Sequence, residues 1–194
     1  MEVVMSNSHS GFFLIIMVFV TVFFLSTAPA QTESWNMTIK GGLLFPGTVN
    51  IDPPGWDVDT EMGWMLNICG DAMVAPKLSL GGFIIYAGTS AEEFDESASI
   101  FTLGGTIKGR FTMQSGWQIR PGLAIGYQMI GGDAFEDVNG LDVGGIFEVV
   151  KPLANKKALV GELGFITQPS GGNDDADVTF GPIFYLNVGY QFGG

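Results

Sequence analysis

The sequence predicts an all-β fold: an eight-stranded antiparallel up-and-down transmembrane β-barrel preceded by an N-terminal signal helix. Three observations lead there. Apolar and polar residues alternate with period two in eight segments, bounded by turn-rich stretches. The connections between the segments alternate between long and short. Although 46% of the 194 residues are hydrophobic, no apolar run beyond the N-terminus is long enough for a transmembrane helix.

The N-terminal element is an address. Gly11 to Leu25 is almost unbroken apolar sequence, followed by Ser26-Thr27-Ala28-Pro29-Ala30. Small residues at −3 and −1 of a cut after Ala30 fit a cleaved signal peptide over residues 1–30, leaving 31–194 as the barrel domain. The first ten residues carry no Lys or Arg, a departure from the usual pattern. An uncleaved anchor is the alternative. Cleavage removes Glu2 and the single histidine, His9.

The eight segments follow in order. In the first, about Trp35 to Phe45, Trp35, Met37, Ile39, Leu43 and Phe45 oppose Asn36, Thr38 and Lys40. In the second, Thr60 to Cys69, Met62, Trp64, Leu66 and Ile68 oppose Glu61, Asn67 and Cys69. The third, Lys77 to Tyr86, sets Leu78, Leu80, Ile84 and Tyr86 against Lys77 and Ser79, with Phe83 and Ile85 weakening the alternation. The fourth, Ile100 to Phe111, alternates Phe101, Leu103, Ile107 and Phe111 with Thr102, Thr106, Lys108 and Arg110. The fifth, Trp117 to Met129, opposes Trp117, Ile119, Leu123, Ile125 and Tyr127 to Gln118, Arg120 and Gln128. The sixth, Leu141 to Val149, carries Asp142 and Glu148 on its polar face. The seventh, Ala158 to Thr167, carries Glu162 there. The eighth, Val178 to Phe192, sets Phe180, Phe184, Leu186, Val188, Tyr190 and Phe192 against Thr179, Tyr185, Asn187 and Gln191.

Bulky apolar side chains on one face suit lipid, and small ones on the other suit a narrow lumen filled by side chains. Aromatics near segment ends, above all Trp35, Trp64, Trp117, Tyr190 and Phe192, fit interfacial girdles. Charges on the inward face must be paired. Lys40, Lys108, Arg110 and Arg120 therefore form a lumen network with Glu148 and Glu162; Glu61 and Asp142 share that face. The network is either a satisfied plug or an ion-selective constriction. A secreted soluble β-barrel binding protein shows the same period, with its apolar face inside.

Connections 46–59, 87–99, 131–140 and 168–177 are long; 70–76, 112–116 and 150–157 are short. The long ones hold thirteen carboxylates and no Lys or Arg, whereas Lys151, Lys156 and Lys157 cluster in one short turn. One rim is acidic and the other mildly basic. Asp174, Asp175 and Asp177 are a weak candidate cation site, though their spacing matches no EF-hand loop.

Twenty acidic against eight basic residues argue against a nucleic-acid partner. Without histidine the mature chain cannot build Ser-His-Asp or Cys-His machinery, and Cys69 is left to pack. We expect no enzyme activity and no cofactor.

With the signal segment, the eight-strand pattern and the final strand Tyr185-Leu-Asn-Val-Gly-Tyr-Gln-Phe192, residues 31–194 resemble the small outer-membrane β-barrels of the OmpA/OmpX type, with OmpW-type barrels close in pattern. The resemblance implies an outer-membrane location and a structural or surface-interaction role, with a narrow channel for small solutes as the rival. It further implies contact with outer-membrane lipids and lipopolysaccharide, and handling by barrel-assembly machinery through the aromatic-ended last strand. We expect a monomer.

Overall fold

Alternating side chains leave each of these segments with one apolar face and a full row of backbone donors and acceptors, and antiparallel pairing satisfies both. In the computed structural model, which describes residues 35–52, 55–90, 97–132, 135–167, 171–172 and 177–193, the strands are β1 (Trp35–Leu44), β2 (Thr48–Asp52), β3 (Trp56–Asp59), β4 (Gly63–Ala75), β5 (Leu78–Ser90), β6 (Ser97–Gly109), β7 (Phe111–Thr112), β8 (Gln118–Gly132), β9 (Phe135–Pro152), β10 (Lys157–Ile166), β11 (Gly171–Gly172), β12 (Asp177–Phe180) and β13 (Ile183–Gly193). The signal segment 1–30 and its cut after Ala30 lie outside the described residues.

Eight of these strands form the wall in the order β6-β5-β4-β1-β13-β10-β9-β8. A β6–β8 ladder from Ala98↔Gly132 to Lys108↔Gly122 closes it, and β7 continues the end of β6 against β8. First and last strands meet in register from Asn36↔Gly193 to Leu44↔Tyr185. Closure removes the exposed edges that lipid could not satisfy.

The exterior is apolar. Val188 is 69% exposed, Leu141 68% and Leu123 60%, whereas Lys108, Glu148 and Glu162 are each 1% exposed. This inside-out polarity excludes the soluble-barrel alternative, whose apolar rows would be buried. Trp35, Trp117, Tyr190 and Phe192 stand at the short-turn end of the wall, where Tyr190 and Phe192 pack edge to face at 5.1 Å and Lys151 lies 5.7 Å over Trp117. Trp64 marks the other end, edge-on to Tyr86 at 5.5 Å.

The structure departs from the sequence pattern in four places. First, most wall strands outrun their alternating segments. Asp142 and its neighbours belong to a β9 of 18 residues that starts at Phe135, so the described residues of stretch 131–140 are strand, with Gly132 paired to Phe135, and not a long loop. Backbone pairing persists outside an apolar zone because the ladder does not depend on side-chain polarity. Second, stretch 46–59 folds into strands β2 and β3, which join β12 and β11 in a separate sheet ordered β11-β12-β2-β3.

Third, the eighth segment is two strands. Pro182 follows Gly181 between β12 and β13, and Pro46 stands between β1 and β2. Neither proline can donate to a ladder, so both walls break at one level. There Phe45 N donates to Phe184 O at 2.9 Å and Gly181 N to Thr48 O at 2.9 Å. The break inverts the faces: Phe180 packs against the inward apolar cluster and Thr179 is exposed. Fourth, Glu61 precedes β4, is exposed, and accepts a hydrogen bond from Ser90 Oγ. It is not a lumen charge, because the strand that would carry it inward starts two residues later.

The lumen has two storeys. Toward the long connections it is filled by Leu44, Met65, Phe83, Ile85, Ile130 and Tyr185, among others. Val49 of β2, 3% exposed, and Phe180 of β12 line a cavity of about 20 Å³ with Ile100, Ile130 and Ile183 of the wall. The small sheet thus lies over this mouth. Below it the lumen is charged.

Candidate functional site: the buried charge network

The charged storey is built by cross-strand register. Arg120 faces Glu148 between β8 and β9, and Glu148 faces Glu162 between β9 and β10. Two carboxylates directly opposite repel unless a cation bridges them. Lys40 supplies it from the far side of β13: its Nζ donates to Glu148 Oε1 at 3.1 Å and to Glu162 Oε2. Lys108 Nζ reaches the same Glu148 Oε1 at 2.9 Å and Asp71 Oδ2 at 3.2 Å. Arg120 Nη1 lies 3.8 Å from Glu148 Oε2 and donates to Gln191 Oε1 at 2.7 Å, while Nε and Nη2 donate to Gln118 Oε1. Asn187 Nδ2 completes Glu162 at 3.1 Å.

Three cations, Lys40, Lys108 and Arg120, thus meet three carboxylates, Asp71, Glu148 and Glu162, and the group is formally neutral. Neutrality matters because each unpaired buried charge costs several kcal/mol. Space for the two lysine stems comes from glycines across the ladder. Lys40 faces Gly189 and Lys108 faces Gly122. A Cβ on Gly189 would sit 2.5 Å from Lys40 Cγ, and one on Gly122 would sit 2.8 Å from Lys108 Cγ.

Of the six residues expected in this network Arg110 stands apart, and so does Asp142, expected on the same inward face. Arg110 is half-buried at the short-turn mouth and makes no ion pair among the described residues. Asp142 is 2% exposed and lines a cavity of about 20 Å³ with Lys40, Asn67, Cys69, Thr106 and Lys108, room for a single water. Asp71 is the member sequence reasoning missed. Stretch 70–76 reads as a turn, but β4 runs through it to Ala75. The signal was parity: Asn67, Cys69 and Asp71 share a face at spacing two.

Asp174 and Asp175 fall outside the described residues, as does the side chain of Asp177. Among the described residues no group of three His, Cys, Asp or Glu side chains is arranged to hold a metal ion. Cys69 is buried and free, among the apolar side chains of the upper storey.

A closed eight-stranded antiparallel wall, apolar outside and charged within, defines the class: a small transmembrane β-barrel. No family model matches the chain, and no curated protein matches its sequence. Solved structures do match its fold. Neisserial surface protein A superposes with a TM-score of 0.59 at 11% identity, covering 82% of this chain and 99% of that one. The outer membrane protein AlkL, solved in lipid bilayers, gives 0.56 at 11% identity, over 87% of this chain and 95% of that one. A major outer membrane protein from Thermus thermophilus gives 0.51 at 14% identity, over 84% and 100%. The fold is that of the small outer-membrane barrels, as the sequence resemblance implied.

Proposed function

We propose that the chain is an integral outer-membrane barrel with a structural and surface-interaction role, closed to solutes. The observation carrying this reading is the filled lumen: a neutral network of six charged side chains beneath an apolar storey that the small sheet covers. Eight strands leave space only for side-chain filling, and moving a solute through would separate buried ion pairs. The exposed Phe, Leu and Ile rows supply the lipid contact. The acidic long connections face the outer surface, where divalent ions bridge them to lipopolysaccharide phosphates. Strand β13, ending in Tyr190 and Phe192, is the segment assembly machinery reads. Cleavage after Ala30 delivers residues 31–194 as a monomeric barrel.

Planar-bilayer recording tests the closed state. The wild-type barrel is expected to give no discrete openings, and Glu162→Gln no more than transient ones. Stable single-channel steps from wild type would overturn the structural reading in favour of the narrow channel.

A further inference from the structure

The basic short-turn rim is not absorbed by this role. At that mouth a pocket of about 200 Å³ opens between Asn36, Arg110, Arg120, Lys156 and Lys157, and no carboxylate lines it among the described residues. Arg120 is committed to Glu148, Gln118 and Gln191. Arg110, Lys156 and Lys157 are not committed to any carboxylate among the described residues.

Ladder register and one strained turn place these cations. Arg110 interrupts the wall between β6 and β7, its backbone N donating to Lys77 O at 2.9 Å. The register is the same on both sides of it, Lys108↔Gly122 and Phe111↔Ile119, so Arg110 keeps the inward parity of Lys108. The guanidinium lies within reach of the Asn36 amide, whose oxygen in its better orientation accepts from both Arg110 Nη1, at 3.2 Å, and Arg110 Nη2. Arg110 Nε is buried without a hydrogen-bond partner. On the facing hairpin Asn155 and Lys156 both adopt left-handed backbone, with φ of 60° and 58°. Two consecutive left-handed residues favour Asn followed by Gly; a lysine there is strained. The strain retains a cation at the pocket where glycine would hold the turn better.

We propose that this mouth is a binding site for a small multiply charged oxyanion, phosphate or a phosphate monoester. The Arg110 guanidinium offers an oxyanion the N–H groups that Asn36 does not take, and Lys156 and Lys157 add point charge from the other wall. The volume suits such a group and not a larger ligand. Its lining from Asn36, Arg120 and Gln191, all buried lumen residues, directs it to the aqueous lumen mouth and not the lipid face.

The test is titration of the folded barrel in nanodiscs with inorganic phosphate against chloride at equal ionic strength, read by calorimetry and melting temperature. Phosphate is expected to bind and raise the melting temperature. Arg110→Gln and Lys156→Gly should each weaken binding about tenfold, with Lys156→Gly also raising the basal melting temperature as the turn relaxes. Equal affinity in phosphatidylcholine and phosphatidylglycerol discs assigns the site to a soluble anion. Loss of binding only in phosphatidylglycerol assigns it to a lipid headgroup. No response in either disc, or one that Arg110→Gln leaves unchanged, overturns the site.

Discussion

Lys40 holds Glu148 and Glu162 together across β9 and β10, and most of its value lies in the repulsion it prevents. Replacing it with methionine keeps the stem's packing but leaves two facing carboxylates with only Lys108 and Arg120 for compensation. Breaking a buried pair by removing one partner costs about 3–5 kcal/mol. Urea unfolding of Lys40→Met in lipid vesicles should show a loss of that order. The double variant Lys40→Met, Glu162→Gln should recover part of it, because the leftover charge is gone. Equal stability of the single variant and wild type would mean that water, not Lys40, compensates the carboxylates. Individual residues were legible in the sequence wherever a strand was regular. Lys40, Lys108, Arg120, Glu148 and Glu162 fall inward by parity alone. Parity does not say which charge meets which: Lys40 and Glu162 are 122 positions apart, and only closure makes them neighbours.

Strands read well when one face is apolar and poorly where both faces meet water. In β10, Leu159, Leu163 and Phe165 alternate with the inward Ala158, Val160 and Glu162. Leu163 lies mid-strand, paired with Leu186 and Phe147, and is 52% exposed. Leu163→Arg should therefore destabilise the vesicle-embedded barrel by roughly 2–4 kcal/mol, the midplane cost of a cation facing lipid. An arginine tolerated at no cost would place that face in water. The β2–β3 hairpin was missed because its Asp52, Asp57 and Asp59 read as loop. Yet Val49-Asn50-Ile51-Asp52 and Trp56-Asp57-Val58-Asp59 alternate, and Pro53-Pro54-Gly55 between them is a turn signal. Gly55 takes a φ of 84°, which the turn requires. The alternation there serves a sheet over the mouth, so Val49 and Val58, 3% and 2% exposed, are buried for a reason unrelated to lipid.

Closure ties these pieces into one object. Every wall strand has two neighbours, so the barrel should resist detergent until heat opens all ladders together. Protein from purified outer membranes should migrate faster unheated than boiled on a denaturing gel. A single mobility, or absence from that fraction, would remove both barrel and location. The rims differ in charge, acidic at the long connections and basic at the short turns, so the molecule has a defined polarity along its axis. That polarity was legible in the placement of charge along the sequence. The apolar upper storey was not: Phe83 and Ile85 read only as a weakening of the alternation, and with Ile130 and Ile183 they fill the lumen under the small sheet.

The sequence by itself determined the number of wall strands, the antiparallel order, the inward and outward rows and the opposite charges of the two ends. These follow from local periodicity and turn chemistry, which need no knowledge of distant partners. Tertiary structure alone decided that three cations and three carboxylates neutralise one another, that Arg110 is left over at the mouth, and that two prolines bend a second sheet across the other end. Those outcomes depend on ladder stagger around a closed wall, which sets distances between residues far apart in the chain.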